Sequence, residues 1–462
     1  MKPNAFIWVG YPVAPRYELW PGVLEGIDRM MNKLVDAGFK GLVIGPFSAL
    51  ENPDGKRYYG PFTTDIWHES LRERIGDKSI KMDLYHAFKP NPKNYEGTEV
   101  KPVHSPGAEA SGIKWFTTLL KEAKERGMKV YYLWMLACQI SELAPKGVSE
   151  VTDVFGKGMD FLCLNTPGIA EYMKGYLKDI LENYPDIDGV IVDHLEIPSY
   201  TSDLLFTCFC NACRRKADKL GYDFERMKVA VLKLRHSLTS LSEKTIKKVA
   251  EGEVGFSDLL GSILGDEHAI EWLKYRYETI NGLADELQQV VNDVNPHLEF
   301  HVDAVTTSFA PCSGVSFRSL SRFAYMINPK LYPATDLWGW RSRIKDYINL
   351  VRQSKAIDDR TMFKFLEKAF GLMGLSKFES IDELYKKSLP VELFINELEK
   401  AALLFGSKQR IRPWLRIDYE MVDEIRNMLR AVRESGVEGV FIRNYAATTQ
   451  LKLNIIKEEL SL

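Results

Sequence analysis

The stretch that decides the fold is DGVIVDHLE, residues 188–196. Its centre, Val190–Val192, is a short apolar run of β-branched residues, and a helical pattern over about residues 168–183 precedes it. An uninterrupted apolar run of this length is typical of a strand buried on both faces of a parallel sheet. The stretch therefore predicts a helix–strand unit with a carboxylate, Asp193, directly after the strand.

The same couplet of amphipathic helix, glycine-containing break and short apolar run recurs along the chain. Eight apolar runs lie at residues 6–9, 42–44, 130–134, 190–192, 298–302, 324–327, 411–415 and 440–442. Alternation of such runs with helices indicates an α/β protein, and the absence of Gly-x-Gly-x-x-Gly after the first run argues against the simplest dinucleotide-binding sheet. We therefore predict a single (β/α)8 TIM barrel spanning residues 1–462, with mostly helical insertions at residues 199–270 and 341–408.

Composition excludes several classes of partner. The chain has 462 residues with 61 Lys+Arg against 63 Asp+Glu, a formal net charge of −2, so there is no global basic field to attract nucleic acid. No apolar run approaches the roughly 18 residues of a membrane span, and the N-terminus does not resemble a secretory signal. We expect a soluble cytoplasmic protein; a homo-oligomer is left open.

Three carboxylates are the candidate catalytic groups. Asp193 follows the fourth run, Glu196 lies three residues further on, and Asp303 follows the fifth run. Loops after barrel strands open on one face, so adjacent strands would present these side chains to one cavity. Two facing carboxylates are what glycoside hydrolysis requires, one as acid and one as nucleophile or base. The alternative is structural, since an Asp at a strand end also caps loops or pairs with a buried arginine.

Aromatic and polar side chains near the predicted strand ends are candidate substrate-binding residues. Sugar rings expose apolar C–H faces that pack on aromatic rings, although large aromatics also fill protein cores. The aromatic candidates are Trp8, Trp134, Tyr332, Trp338 and Trp414. The polar candidates are His194, His301 and Arg443, the last of which could equally form a structural salt bridge.

A cysteine cluster follows the fourth strand. Cys208, Cys210 and Cys213 lie within six residues, a spacing suited to a tetrahedral Zn²⁺ site that needs one more ligand. Closed sulfur coordination implies a structural metal. The remaining cysteines, Cys138, Cys163 and Cys312, are all candidates for the fourth ligand. The alternatives are reduced buried thiols, or a disulfide in an oxidising compartment.

The region of about residues 160–220 resembles the family-42 β-galactosidases and related uncharacterised glycoside hydrolase-like barrels. The resemblance rests on the segment CLNTP at 163–167, a helix, the segment DGVIVD at 188–193 and the C-x-C-x-x-C pattern at 208–213. It implies that Cys163 joins the three clustered cysteines in binding zinc. Asp193 also resembles the strand-four nucleophile of barrels of the α-amylase and α-galactosidase groups.

The sequence as a whole predicts a glycoside hydrolase with a carbohydrate substrate. Asp193 is the expected nucleophile, and either Asp303 or Glu196 is the expected acid/base. One alternative is a metal-dependent hydrolase with His301, Asp303 and His68 as ligands. Another is a carbohydrate-binding barrel without catalysis, because the seventh run, residues 411–416, ends without the carboxylate that family-42 enzymes carry there.

Overall fold

The computed structural model describes residues 2–9, 26–45, 48–51, 80–83, 88–100, 102, 106–135, 150–255, 258, 261, 266–335, 339–352, 356–417, 421–443, 445 and 448–461. Eight parallel strands close into a barrel in sequence order, and the last strand pairs with the first. The strands are β1 Asn4–Trp8, β2 Gly41–Ile44, β3 Lys129–Met135, β4 Gly189–Asp193, β5 Glu299–Ala304, β6 Met326–Leu331, β7 Trp414–Arg416 and β8 Gly439–Arg443. The (β/α)8 barrel that the alternating runs predict is confirmed.

Helices surround the barrel. In chain order they are α1 Ile27–Asp36, α2 Pro106–Glu125, α3 Ile169–Asn183, α4 Asn211–Leu220, α5 Phe224–Thr239, α6 Glu243–Glu251, α7 Glu267–Val294, α8 Phe317–Leu320, α9 Trp340–Val351, α10 Asp359–Phe370, α11 Ile381–Lys386, α12 Val391–Phe405, α13 Val422–Ser435 and α14 Gln450–Ser461. Short 3₁₀ turns occupy Pro92–Tyr95, Leu204–Phe206, Thr307–Ser313, Leu375–Lys377 and Lys408–Arg410. None of the helices in the described ranges is long and apolar enough to cross a membrane.

Two segments between strands carry the extra helices. Residues 199–270, between β4 and β5, contain α4, α5 and α6, whereas residues 341–408, between β6 and β7, hold α10 to α12 and most of α9. Helix α6 packs on α10, and α5 contacts α9, so the two segments lie against each other. Two antiparallel ribbons lie outside the barrel, Ser48–Glu51 with Ile80–Asp83 and Glu150–Thr152 with Gly158–Leu162.

The sixth strand differs from its prediction. The sequence pattern ends it at Ile327, but the strand runs from Met326 to Leu331 and keeps its register with β5 through Pro329. Pro329 and the polar neighbours Asn328 and Lys330 suggest a turn in the sequence. In the barrel, polar side chains at alternate positions instead point inward, where a parallel strand near its carboxyl end can accommodate them.

Inward-facing side chains form layers within the barrel. A lower layer contains His301 of β5, whose ring centroid lies 4.9 Å from that of Tyr131 and 5.9 Å from that of Phe441. Asp303 lies two residues further along the same strand and lines a cavity at the mouth. Because strand side chains alternate with a period of two, the residues that line the mouth are set by strand register.

Candidate active site

A cavity opens at the carboxyl ends of the strands, the face on which TIM barrels carry their active sites. It encloses about 600 Å³ of space outside protein atoms, open solvent at its mouth included. Its aromatic walls are Trp8, Tyr200, Tyr332 and Trp414. Its ionisable side chains are Asp193, His194, Asp303, Lys330, Arg343 and Arg443.

Asp193 and Asp303 are neighbours in this cavity. Strand β4 pairs with β5 with Val192 opposite Val302, so the two aspartates that follow lie about one strand spacing apart. Both side chains are buried. The structure therefore brings together two of the three carboxylates that the sequence singles out.

Asp193 is held ionised. Lys330 donates a hydrogen bond from Nζ to Asp193 Oδ1, and the backbone N–H of His194 donates to the same oxygen at 2.7 Å. Burial acts to raise the pKa of Asp193, but the charges of His194 and Lys330 and these hydrogen bonds outweigh burial and hold the pKa below its usual value. Oδ1 accepts both hydrogen bonds, so Oδ2 is the oxygen available to react with a substrate.

Asp303 is in the opposite state. Burial, and next the negative charge of Asp193, raise the pKa of Asp303 well above its usual value. The charge of Lys330 and a hydrogen bond of 2.8 Å from Asn328 Nδ2 to Asp303 Oδ1 act in the other direction without offsetting burial. The two neighbouring carboxyl groups thus have pKa values displaced in opposite directions, downward for Asp193 and upward for Asp303.

Glu196 lies behind the cavity wall rather than on it. Its Oε1 accepts a hydrogen bond from Tyr200 Oη, which in turn lies 2.9 Å from His194 Nδ1. Burial acts to raise the pKa of Glu196, yet interactions with His194, Lys330 and Tyr200 hold the pKa below its usual value. An ionised carboxylate with its hydrogen bond to Tyr200 is poorly suited to be the general acid, and Asp303 is the better candidate.

His194 lies between Asp193 and Glu196. It has a left-handed backbone conformation, with φ of 61°, unusual for a non-glycine residue and found most often at functional sites. Its Nε2 lies 3.6 Å from Asp193 Oδ2, and its Nδ1 faces Tyr200. Because Tyr200 donates its hydroxyl proton to Glu196, the Tyr200 oxygen accepts a hydrogen bond from His194 Nδ1. This hydrogen bond fixes the orientation of the His194 imidazole beside Asp193.

Most of the predicted substrate-binding side chains lie on the cavity wall. Trp8, His194, Tyr332, Trp414 and Arg443 all line it. Their contact with a sugar stays a prediction. Trp338 lies outside the described residues.

Trp134 and His301 are placed differently from the prediction. Leu133 of β3 faces the cavity, so the next residue, Trp134, points outward and stacks on Tyr176 of α3 with ring centroids 5.0 Å apart. His301 is fully buried in the lower layer, 3.0 Å from Glu299, and burial lowers its pKa to about 4. Neither side chain lines the cavity, so both assignments to substrate binding are wrong.

The arrangement proposed for a catalytic metal does not form in the described residues. His301 faces Glu299 in the lower layer, whereas Asp303 faces the mouth. Within the described part of the chain, the one group of three or more metal-ligating side chains is a set of four cysteines. His68, the third ligand of that hypothesis, lies outside the described residues.

Four functional side chains escape the sequence interpretation: Asn328, Lys330, Tyr200 and Arg343. Asn328 and Lys330 of β6 and Tyr332 just after it lie at every second position, a signal that could have identified the first two, because this spacing places side chains on one face of a strand. Tyr200 and Arg343 carry no such signal. Their positions depend on how the chain folds after β4 and β6.

The cysteine cluster forms beside the mouth. Cys163, Cys208, Cys210 and Cys213 are buried, and their Sγ atoms all lie within 4.8 Å of one another. Cys163 Sγ lies 3.4 Å from Cys213 Sγ, too far for a disulfide and close to the roughly 3.8 Å expected between two sulfurs on tetrahedral zinc. Cys163 is thus the fourth member, as the resemblance implies. Cys138 lies outside the described residues.

The surroundings of the cluster also suit thiolates. The backbone N–H of Thr152 donates to Cys208 Sγ at 3.3 Å, and Asn165 Nδ2 donates to Cys213 Sγ at 3.4 Å. Cys210 is the N-cap residue of α4, and its Sγ accepts from the backbone N–H of Cys213 at 3.4 Å. These donors stabilise negative charge on sulfur, and the four ligands leave no open coordination position.

Comparison with solved structures finds glycoside hydrolase barrels. The chain matches the PgaB (BpsB) glycoside hydrolase domain from Bordetella bronchiseptica with a TM-score of 0.55 and 9% identity, covering 100% of this chain and 99% of that one. It matches the catalytic domain of the β-amylase from Paenibacillus polymyxa with a TM-score of 0.51 and 10% identity, over 99% and 98% of the two chains. What these structures share with the chain is the (β/α)8 barrel fold.

A β-galactosidase is also similar in fold. The enzyme from the psychrophilic Marinomonas ef1 aligns with a TM-score of 0.51 and 9% identity, over 99% of this chain but 59% of that one. No family model matches the sequence, and no curated protein matches it. At these identities the likeness establishes the fold, so the activity must be argued from the site.

Proposed function

We propose that the protein is a glycoside hydrolase in which Asp193 is the nucleophile and Asp303 the general acid. The observation that carries the proposal is a pair of neighbouring, buried carboxyl groups at the mouth of the barrel whose pKa values are displaced in opposite directions. Environments that separate the pKa values of two carboxyl groups in one cavity assign them to different roles, one as acid and the other as nucleophile or base. The aromatic walls supply surfaces for sugar rings.

The reaction follows from these states. Asp303 gives its proton to the glycosidic oxygen as the bond from that oxygen to the anomeric carbon breaks. Asp193 Oδ2 attacks the anomeric carbon and forms a glycosyl ester. Asp303, now a carboxylate, then takes a proton from a water that attacks the same carbon, releases the sugar and restores Asp193. Lys330 and the His194 N–H keep Asp193 Oδ1 occupied, which orients Oδ2 for attack.

The placement of the two aspartates favours retention of anomeric configuration. Retaining enzymes have carboxyl groups about 5 to 5.5 Å apart, whereas inverting enzymes separate them by about 6.5 to 9.5 Å to admit a water. Asp193 and Asp303 occupy neighbouring inward-facing positions on adjacent strands, whose backbones lie about 4.8 Å apart. This placement favours the shorter of the two carboxyl separations. Proton NMR of the first sugar released from an active substrate tests this expectation.

The activity itself is tested with a panel of 4-nitrophenyl glycosides of both anomeric configurations. We expect turnover by the wild type and losses of about 10²- to 10⁴-fold in Asp303→Asn, the range typical for a general acid. Asp193→Ala should lose turnover and regain part of it with added azide, which replaces the missing nucleophile. The exposed Asp382→Asn is the control and should match the wild type.

Two results would contradict the proposal. Turnover unchanged in both aspartate variants would remove the assigned roles. Sugar binding without turnover across the whole panel would instead favour a carbohydrate-binding barrel, an alternative supported by the absence of a carboxylate in β7.

We also propose that Cys163, Cys208, Cys210 and Cys213 hold a structural zinc ion. The support is the closed set of four buried sulfurs and the hydrogen bonds donated to them. The metal would tie the loop that begins α4 to the ribbon Glu150–Thr152 with Gly158–Leu162, next to the cavity. It leaves no position for water, so no catalytic step passes through it.

A further inference from the structure

Arg343, near the start of α9, is a buried cation without a partner in the described part of the chain. Its side chain is 3% exposed and lines the cavity. Its guanidinium makes no hydrogen bond and no ion pair with any described residue, and Nε is fully enclosed without an acceptor. The guanidinium carbon lies 4.9 Å from the ring centroid of Phe309 and 5.6 Å from that of Tyr200.

Two other buried arginines, Arg341 and Arg412, are neutralised by carboxylates. Arg341 forms an ion pair with Glu424, and Arg412 with Glu438, in both cases at below 3 Å. An arginine stays charged in every protein environment, and a buried charge without a partner is costly. Aromatic rings attract the Arg343 cation but accept none of its N–H groups in strong hydrogen bonds. Its donors therefore remain available to a ligand in the cavity.

The groups nearest Arg343 do not provide the missing charge. Burial raises the pKa of the Cys312 thiol even though Arg276 and Arg343 act to lower it, so this thiol is neutral. Asp193 is already paired with Lys330, and Asp303 accepts a hydrogen bond from Asn328.

On the described part of the cavity wall the basic side chains are Lys330, Arg343 and Arg443, and the acidic ones are Asp193 and Asp303. Lys330 is paired with Asp193, whereas Arg343 has no partner among the described residues. Arg343 is therefore the cation on this wall that can bind an anionic ligand.

We infer that the substrate is an acidic glycoside whose carboxylate binds Arg343. The inference rests on the proposed glycosidase function and adds the chemical class of the sugar. The planar guanidinium matches a carboxylate in a bidentate pair, and a sulfate ester offers similar oxygens. A uronic acid ring carries its carboxylate on the same ring as its anomeric carbon, so both can occupy one cavity of this size.

The test compares 4-nitrophenyl glycosides of glucuronic and galacturonic acid with those of glucose and galactose, in both configurations. We expect the wild type to prefer the acidic member of a pair. In Arg343→Met the ratio of kcat/KM for acidic over neutral substrate should fall on the order of 10- to 100-fold, the loss of a charge-assisted bidentate contact. Arg343→Lys keeps the charge and should retain part of the preference.

The control is Arg360→Gln, on the exposed surface of α10, which should leave the ratio unchanged. A second measurement is independent of turnover: D-glucuronate should raise the Tm of the wild type and not that of Arg343→Met, while D-glucose should not distinguish them. Without ligand, Arg343→Met should have the higher Tm, because it removes an unpaired buried charge. If Arg343 instead served only to stabilise the fold, Arg343→Met would have a lower Tm than the wild type.

The outcomes separate this inference from the proposed function. Turnover of neutral glycosides with the same substrate ratio in wild type and Arg343→Met would overturn the anion site and leave the glycosidase intact. Absence of all turnover would contradict the glycosidase, while glucuronate binding that depends on Arg343 would still support the site. A preference for 6-sulfated over uronic sugars, lost in Arg343→Met, would also support it and identify sulfate as the group bound.

Discussion

Replacing Lys330 with methionine removes the positive charge that keeps Asp193 ionised and retains much of the side-chain length. Lys330 is buried, and its ammonium donates to Asp193 Oδ1. Burial acts to lower the pKa of Lys330, but the charges of Asp193 and Glu196 outweigh burial and keep the pKa above its usual value. The ion pair is therefore intact at neutral pH, and the substitution leaves a buried carboxylate without its cation.

The size of the effect follows from Coulomb's law. Opposite unit charges at about 4 Å and an effective dielectric constant of about 20 attract by about 4 kcal/mol. Because Lys330 is one of the charges that lower the pKa of Asp193, we expect this pKa to rise in Lys330→Met. Breaking a buried pair from one side costs roughly 3 to 5 kcal/mol of unfolding free energy at neutral pH.

The sign of the pH dependence distinguishes this mechanism from lost packing. In the wild type the pKa of Asp193 is depressed, so its contribution to stability is present above about pH 4 and is lost as pH falls through the folded pKa. In Lys330→Met the folded pKa is raised, so the penalty grows as pH rises from about 4 to the new pKa. The stability difference between the two proteins should thus shrink as pH falls from 8 towards 5.

Urea unfolding at pH 5, 6, 7 and 8 measures this difference directly. Lys386→Met is the control, because Lys386 is exposed and pairs only with Asp382 on the same helix, a contact worth about 0.3 to 0.5 kcal/mol. On an active substrate, the acidic limb of the kcat/KM profile should move to higher pH in Lys330→Met. A stability difference independent of pH would refute the charge argument.

Three further predictions concern the other groups. Asp303→Asn should be more stable than the wild type at pH 7 and lose this advantage towards pH 4, because the raised pKa of Asp303 costs stability as pH rises from its unfolded value, and urea unfolding at both pH values measures it. Purified protein should contain one zinc ion per chain by elemental analysis; Cys163→Ser should lose it with a lower Tm, whereas Cys312→Ser should keep it. Trp134→Ala should cost about 3 to 5 kcal/mol of stability in urea unfolding, while Trp414→Ala should chiefly raise KM for glycosides.

The barrel could be predicted because each buried parallel strand leaves an uninterrupted apolar run. All eight predicted runs correspond to barrel strands in the structure. The sixth shows the limit of the pattern. Pro329 between two polar residues suggests the end of a strand, and only the closed barrel makes room for Asn328 and Lys330 inside.

The positions of the two candidate aspartates could be predicted, but their pKa shifts could not. Asp193 and Asp303 stand at strand ends in the sequence, yet nothing there indicates that their pKa values are displaced in opposite directions. That difference comes from Lys330, two strands from Asp193 in the barrel, and from burial. Trp134 was expected in the cavity but packs against a helix. A shift of one residue along a strand decides whether a side chain faces the barrel interior or the helices.

The residues of the site come from two parts of the fold, the barrel strands and a helix outside the barrel. The proposed chemistry is built on adjacent barrel strands: Asp193 on β4, Asp303 on β5 and Lys330 on β6. Arg343, which we propose to select the charge of the substrate, comes instead from α9, a helix between β6 and β7 that contacts α5 of the other insertion. Because strand register fixes the first group and helix packing fixes the second, changes in α9 should alter which glycosides are accepted without changing how the bond is broken.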